Sequence, residues 1–302
     1  MGKEKAFANH FRVDVEILRI LATIGIVWFH AGAPGSGIAY GGLLVFFVIS
    51  IWFSDFGAGS FSAYALKLAN RLIRPWLIWC VIYAAVNILR RRPIVEGGES
   101  WIGYLAGPSV HLWYLPFAFF VLVVGYAFWR CFSPLLGFML AIIFALTILV
   151  FVPFWRPESL GLPIPLPQYA HALFGVCLGF AFRFSKGLPP AWVFGAMTAL
   201  IFASIARLPW SGIGSTYLVA VIASLALVFP LDKIFGSLRN IGLPLLGRHS
   251  FGVYFIHPPI IGLLKARFSP DSFLLPLLVY LVALACVHGL WRIFPRFYRF
   301  VF

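Results

Sequence analysis

The stretch Val15-Glu-Ile-Leu-Arg19-Ile-Leu-Ala-Thr-Ile-Gly-Ile-Val-Trp-Phe-His30 sets an arginine and a histidine eleven residues apart in an otherwise apolar run. An α-helix rises about 1.5 Å per residue and turns every 3.6 residues, so this spacing is roughly three turns and about 16 Å. Both side chains fall on nearly the same face. A charge inside a membrane-length helix is costly unless it is paired or wetted. Two ionisable groups on one stripe therefore predict a buried polar path. Glu16 lies one turn from Arg19 and can pair with it, and Arg19 can also reach out to the headgroups.

Composition sets the class. The chain has 302 residues, of which 62% are hydrophobic and 11% charged, and its mean hydropathy is +0.97. A soluble domain of this size has no place to hide that much apolar surface. The net charge is +14. In an apolar chain of this kind the charge reads as basic loops facing anionic headgroups rather than as a nucleic-acid surface. Cys80, Cys131, Cys177 and Cys286 stand singly, with no C-x-x-C pair, which argues against a disulfide framework or a thiolate metal site. The first apolar run follows Lys3, Lys5 and Arg12 without a small-residue cleavage site, and reads as an uncleaved helix.

Apolar runs of roughly 17 to 22 residues, the length that spans a bilayer, recur at 17–33, 40–56, 72–89, 112–130, 135–153, 169–184, 191–208, 214–230, 243–264 and 273–294. The expected fold is one all-α, polytopic transmembrane bundle of about ten spans covering 1–302. With the N-terminus inside, the inner segments hold Lys3, Lys5, Arg12, Lys67, Arg71, Arg74, Arg130, Arg183, Lys186, Lys233, Arg239, Arg292, Arg296 and Arg299. The outer segments hold Arg90, Arg91, Arg92, Arg156, Arg207, Lys265 and Arg267. This two-to-one bias favours cytoplasmic termini, with Arg90-Arg91-Arg92 the exception. Trp76, Trp79, Trp113 and Tyr114 lie near span ends and read as an interfacial aromatic belt.

Several residue groups can carry chemistry. His30, His111, His171 and His257 all fall in the outer half under this topology. Histidine moves protons near neutrality, and with carboxylates scarce a proton-handling pocket fits better than a metal site. Scattered core histidines remain the plain alternative, and His288 reads as structural. Arg71 and Arg74, three residues apart, would share a helix face, with Pro75 opening the helix. Two guanidinium forks at a helix N-terminus suit phosphate, although ordinary positive-inside charge explains them too. No phosphate-binding glycine loop, H-E-x-x-H helix or G-x-S-x-G elbow is present. These features fit an enzyme, or equally a transporter or flippase of a lipid-linked saccharide.

Five elements in order then resemble the acyltransferase 3 family of bacterial membrane acyltransferases. Arg19 and His30 match its R-x10-H element, with Glu16 where the family usually has Asp. Gly41-Gly-Leu-Leu-Val-Phe-Phe-Val-Ile-Ser50 is similar to its second helix, and Arg71-Leu-Ile-Arg74-Pro75 to its paired-arginine element. His111-Leu-Trp-Tyr-Leu115 resembles its H-x-W-[FY]-L segment. Gly247-Arg-His-Ser-Phe-Gly-Val-Tyr-Phe-Ile-His257 resembles its late G-x-x-S-x-x-[IV]-Y-x-x-H helix.

The resemblance implies an acyltransferase in the bacterial inner membrane with no bound cofactor and no metal. It would take acyl-CoA, acetyl-CoA above all, as donor co-substrate and a hydroxyl of a surface glycan or lipid-linked sugar as acceptor. It makes His30 the general base and Arg19 the support of the polar path. Arg71 and Arg74 become ligands of the donor phosphates, and His111, Trp113 and His257 candidates for substrate contact. Two departures stand out. Pro116-Phe-Ala-Phe-Phe120 lacks the carboxylate that some members carry after the H-x-W segment. The hydrolase-like C-terminal domain of other members is also not seen, which implies that transfer is completed within the membrane domain.

Overall fold

The computed structural model describes residues 12–57, 59–95, 101–209, 213–228, 243–269 and 271–302. Of the basic residues weighed for topology, Lys3, Lys5, Lys233 and Arg239 lie outside them. The described residues are helical, with no strand among them. The main helices are α1 (Val13–Ala31), α2 (Gly41–Trp52), α3 (Phe61–Leu68), α4 (Arg74–Leu89), α5 (Tyr114–Cys131), α6 (Pro134–Val150), α7 (Val152–Leu160), α8 (Leu166–Phe184), α9 (Pro190–Ala206), α10 (Ile213–Val228), α11 (Leu243–Leu264), α12 (Leu274–Ile293) and α13 (Pro295–Val301).

Each of the ten apolar runs contains a helix. Among the described residues fewer qualify as membrane spans by length and composition alone. Phe61–Leu89, Val110–Cys131 and Leu274–Ile293 do, and Pro134–Val150 with Val152–Leu160, bent by 74°, makes a fourth if the pair is one span. The reason is informative. Helices α1 (19 residues), α8 (19) and α11 (22) are long enough. Their polar residues take them out of the generic class: Asp14, Glu16 and Arg19 in α1, Gln168, His171 and Arg183 in α8, Arg248, His249 and His257 in α11.

Local chemistry sets the helix ends. Gly32 takes the left-handed conformation (φ 71°) that ends α1, and its N–H bonds Phe29 O. Ser60 and Ser133 accept from Ala63 N and Leu136 N as N-caps of α3 and α6. Helix α4 ends at the arginine run. Arg91 has φ 53°, and Arg92 N donates to Asn87 O at 2.9 Å.

The helices group into two compact units. One comprises Met1–Phe46 and Val219–His288. In it α11 runs along α1, and small residues permit close backbone approach. A Cβ on Gly25 would stand 2.5 Å from Ala39 O, and one on Gly42 2.5 Å from Ala22 O. Arg12 pairs with the buried Asp14 and donates to Ala226 O (3.3 Å) and Leu227 O (3.1 Å) of α10. The other unit comprises Phe47–Leu218 and Gly289–Phe302. There α6 packs along α8, with Gly137 under the Phe184 ring.

The aromatic residues read as an interfacial belt are largely core instead. Trp79, Trp113 and Tyr114 are buried. Trp79 packs on Tyr83 and Phe302, each with ring centroids 5.8 Å away. Trp113 lies among Phe47, Phe117 and Tyr169. Their large faces fill gaps between helices rather than meeting headgroups.

Close approach at Gly42 is testable. Gly42→Ala sets a methyl against backbone, which cannot move aside, and is expected to cost about 1–3 kcal/mol in detergent unfolding. Gly195→Ala in α9, where a Cβ meets nothing within 4 Å, is the control and should be neutral or slightly stabilising. Equal effects at both sites would contradict the packing account.

Candidate functional site

In the first unit the polar face of α1 is occupied at two levels. At the lower one, Arg19 Nη1 donates to Glu16 Oε1 at 2.7 Å across one turn. The carboxylate side chain is 12% exposed and the guanidinium 32%, so the pair is desolvated on one side and open on the other. Glu16 Oε2 is buried with no hydrogen-bond partner among the described residues. It lies directly over Gly247 of α11, where a Cβ would overlap it. Arg248 adds a second positive charge within electrostatic reach of Glu16. Gly247 is thus a packing requirement of the Glu16–Arg19 pair, a role that chain spacing alone does not reveal.

At the upper level His30 lies in the last turn of α1, partly exposed. Its ring is 5.0 Å from that of His257, the planes inclined at 52°. Phe29 beside it stacks on Tyr40 at 4.0 Å. His257 is fully buried, and its Nδ1 is 2.8 Å from Tyr254 O and 3.2 Å from Val253 O. Pro258 explains this contact. A residue at 258 with an N–H would bond Tyr254 O, four residues back. Proline has none and leaves that carbonyl unsatisfied inside the helix. The His257 side chain satisfies it. Carbonyls only accept, so Nδ1 carries the proton and Nε2 the lone pair.

The remaining expected residues fall elsewhere. His249 Nε2 meets His288 Nδ1 at 3.3 Å in the first unit. His111 and His171 belong to the second unit. His111 Nδ1 bonds Ser109 Oγ at 2.9 Å, and its ring edges onto Tyr83. His171 stacks on Tyr217, ring centroids 5.2 Å apart. His30 and His257 are therefore the pair of expected outer histidines that the structure brings together within one unit. Among the described residues no three His, Cys, Asp or Glu side chains gather as a metal site.

The paired arginines require a correction. Pro75 does lie in the first turn of α4, but that turn continues from a preceding helix, so Arg71 and Arg74 do not stand at a free helix N-terminus. Helix α3 begins at Phe61, and a π-helical turn over Ala69–Ile73 carries the chain into α4 without a break. The wide turn, in which Arg74 N bonds Ala69 O, accommodates the proline that an ordinary helix interior would not. No row of free N–H groups is presented there, so the contribution from a helix end is lost. What remains is two exposed guanidiniums on a π turn, a feature frequent at functional sites. Arg74 lies over the Phe300 ring and donates to Arg299 O at 3.4 Å. Arg71 acts electrostatically on Tyr64 and Tyr114. Arg183, counted in the sequence only as topology charge, shares Tyr64 with Arg71. Its guanidinium lies 4.7 Å from the Trp129 ring centroid and donates to Trp52 O at 3.3 Å.

A family model described as an acyltransferase domain matches residues 12–291. The chain belongs to the acyltransferase 3 family. The match runs through both units and includes every residue singled out in the sequence as a site candidate. No curated protein and no solved structure matches the chain. Family membership implies acyltransferase activity in general, and with the apolar helices it marks a membrane protein.

The Glu16–Gly247 contact makes a cycle. Gly247→Ala should destabilise the protein by about 1–3 kcal/mol. In a Glu16→Ala background it should cost little, because the clash is with the carboxylate itself. Additive losses in the double variant, read by detergent unfolding, would show that Gly247 serves something else.

Proposed function

We propose that this acyltransferase 3 protein moves an acyl group, acetyl above all, from cytoplasmic acyl-CoA to a hydroxyl of a surface glycan or lipid-linked sugar. The observation that carries the reading is the close approach of the partly exposed His30 ring to the buried His257 ring in a chain of this family. His30 takes the proton of the acceptor hydroxyl. The oxygen attacks the thioester carbonyl, the C–O bond forms and the C–S bond breaks. The thiolate recovers the proton from His30 and leaves as CoA. A base so placed contributes typically 10²–10⁴-fold. Arg19, neutralised by Glu16, keeps the path polar. Arg71 and Arg74 hold the donor phosphates through charged hydrogen bonds. His111, Trp113 and His257 are the candidates for substrate contact.

In this reading the ten apolar runs cross the bacterial inner membrane and both termini are cytoplasmic. The exposed Arg71 and Arg74 then face the compartment that holds acyl-CoA, a polyanion that does not cross the membrane.

His30→Ala should leave the protein inserted and folded and lower acyl transfer at least about a hundredfold; near-normal turnover removes His30 from the mechanism. Arg71→Ala or Arg74→Ala should weaken donor binding by about 1.5–3 kcal/mol each. Lysine at either position should rescue only in part, because it cannot reproduce the fork. Unchanged donor affinity in the double alanine variant would return both to topology charge. Orientation is read by labelling Lys67→Cys and Arg299→Cys in a chain cleared of its four native cysteines. Labelling of either from outside would overturn the donor side.

A further inference from the structure

We infer that Arg183 is a further ligand of the donor's phosphates, joining Arg71 beside an aromatic wall of Phe56, Tyr64 and Trp129 in the second unit. The inference rests on the reading of acyl-CoA as the donor.

Arg183 reads in the sequence as one more basic residue of the inner segments. Its surroundings are not those of a charge that only marks topology. It lies in the last turn of α8, half-buried rather than extended into solvent. Its guanidinium is 4.7 Å from the Trp129 ring centroid and 5.7 Å from that of Phe56. Phe56 in turn meets Tyr64 at 5.9 Å and Trp129 at 6.3 Å between centroids. Tyr64 connects this wall to the π turn, because Arg71 and Arg183 both act electrostatically on it. Two cations far apart in the chain thus come within reach of one phenol. Packing brings them there: α3, which carries Tyr64, and the π turn, which carries Arg71, both lie on α5, which carries Trp129.

The arrangement has unused donors and uncompensated charge. Arg183 Nη1 donates to Trp52 O, while Nη2 makes no hydrogen bond among the described residues and is not sealed from solvent. Arg71 makes no hydrogen bond among them either. Asp55 lies within electrostatic reach of Arg183 and Tyr64. It is exposed, and among the described residues it forms no ion pair with either arginine. Ring faces ease the burial of a cation without neutralising it. Two positive charges with one loose counter-charge, set beside apolar rings where salt screens less, attract an anion. Guanidinium forks match phosphate oxygens. CoA carries a diphosphate bridge and a separate ribose phosphate, so an arginine beyond Arg71 and Arg74 has a group to hold.

Binding tests this without turnover. Full-length protein in phosphatidylcholine nanodiscs is titrated with CoA. Arg183→Gln keeps a donor for Trp52 O and removes the charge. It should unfold in detergent as the wild type does, yet weaken CoA binding about tenfold or more and reduce its salt dependence. Arg183→Lys should recover part of the loss. Arg130→Gln, which removes a like cation lying over the Tyr126 ring, should change CoA affinity little. Wild-type affinity in Arg183→Gln, an equal loss in Arg130→Gln, or a loss that tracks lowered stability would each overturn the inference.

A lipid headgroup offers the same phosphate chemistry. If Arg183→Gln keeps its CoA affinity and loses only bound phosphatidylglycerol, read by native mass spectrometry, the site is a lipid site and the inference fails. Inorganic pyrophosphate separates the inference from the reading beneath it. Wild-type protein that binds pyrophosphate through Arg183 but not CoA would refute the donor while sustaining the phosphate site. Protein that binds CoA equally well with and without Arg183 would do the reverse.

Discussion

A charge carried into an apolar helix bundle must bring its counter-charge and the room for it, and the Glu16 carboxylate shows how this chain meets that condition. It lies between Arg19 on its own helix and the bare backbone of Gly247 on the next. The pair is half-open to solvent, so its worth as a source of stability is modest. Its consequence is geometric. Helix α11 can lie against α1 at this register only because residue 247 has no side chain. That register brings His257, ten positions along α11, to His30 near the far end of α1.

Backbone irregularity serves the same end at two places. Within α11, Pro258 withholds one N–H and thereby gives the His257 ring a fixed partner. Before α4, the π turn over Ala69–Ile73 absorbs Pro75 and leaves Arg71 and Arg74 exposed on a continuous helix. In lipid, a freed backbone group must be satisfied by a side chain or by local rewinding. Here a histidine does the first and a wide turn the second. Both irregularities fall on residues that the acyl-transfer reading uses.

Much of this was legible in the chain itself. The ten apolar runs each hold a helix because lengths of about 20 apolar residues leave few other ways to satisfy the backbone. The Arg19–Glu16 pair follows from i,i+3 spacing alone. The family was legible too, because its elements keep their order. The span count was not: the residues that make α1 and α11 interesting are those that spoil their hydropathy. The place of Arg71 and Arg74 was misread, since Pro75 is equally at home at a helix start and after a π turn. Trp79 and Trp113 were read as belt residues, and only packing reveals that they fill the interior. Gly247 and Pro258 were invisible as parts of the site. Their effect lies in what they lack, a Cβ and an N–H, and it appears only against a neighbour.

The measurement that bears most directly on the central claim follows both halves of the donor. The purified protein is reconstituted in vesicles with acceptor on one side and, on the other, acetyl-CoA carrying one label in the acetyl group and a second in the adenine. The account predicts that the acetyl label appears on the acceptor while the adenine label stays behind as free CoA, in equal amounts, and that both signals vanish in His30→Ala. Passage of acceptor or of intact donor across the bilayer without cleavage of the thioester would contradict it and make the chain a transporter.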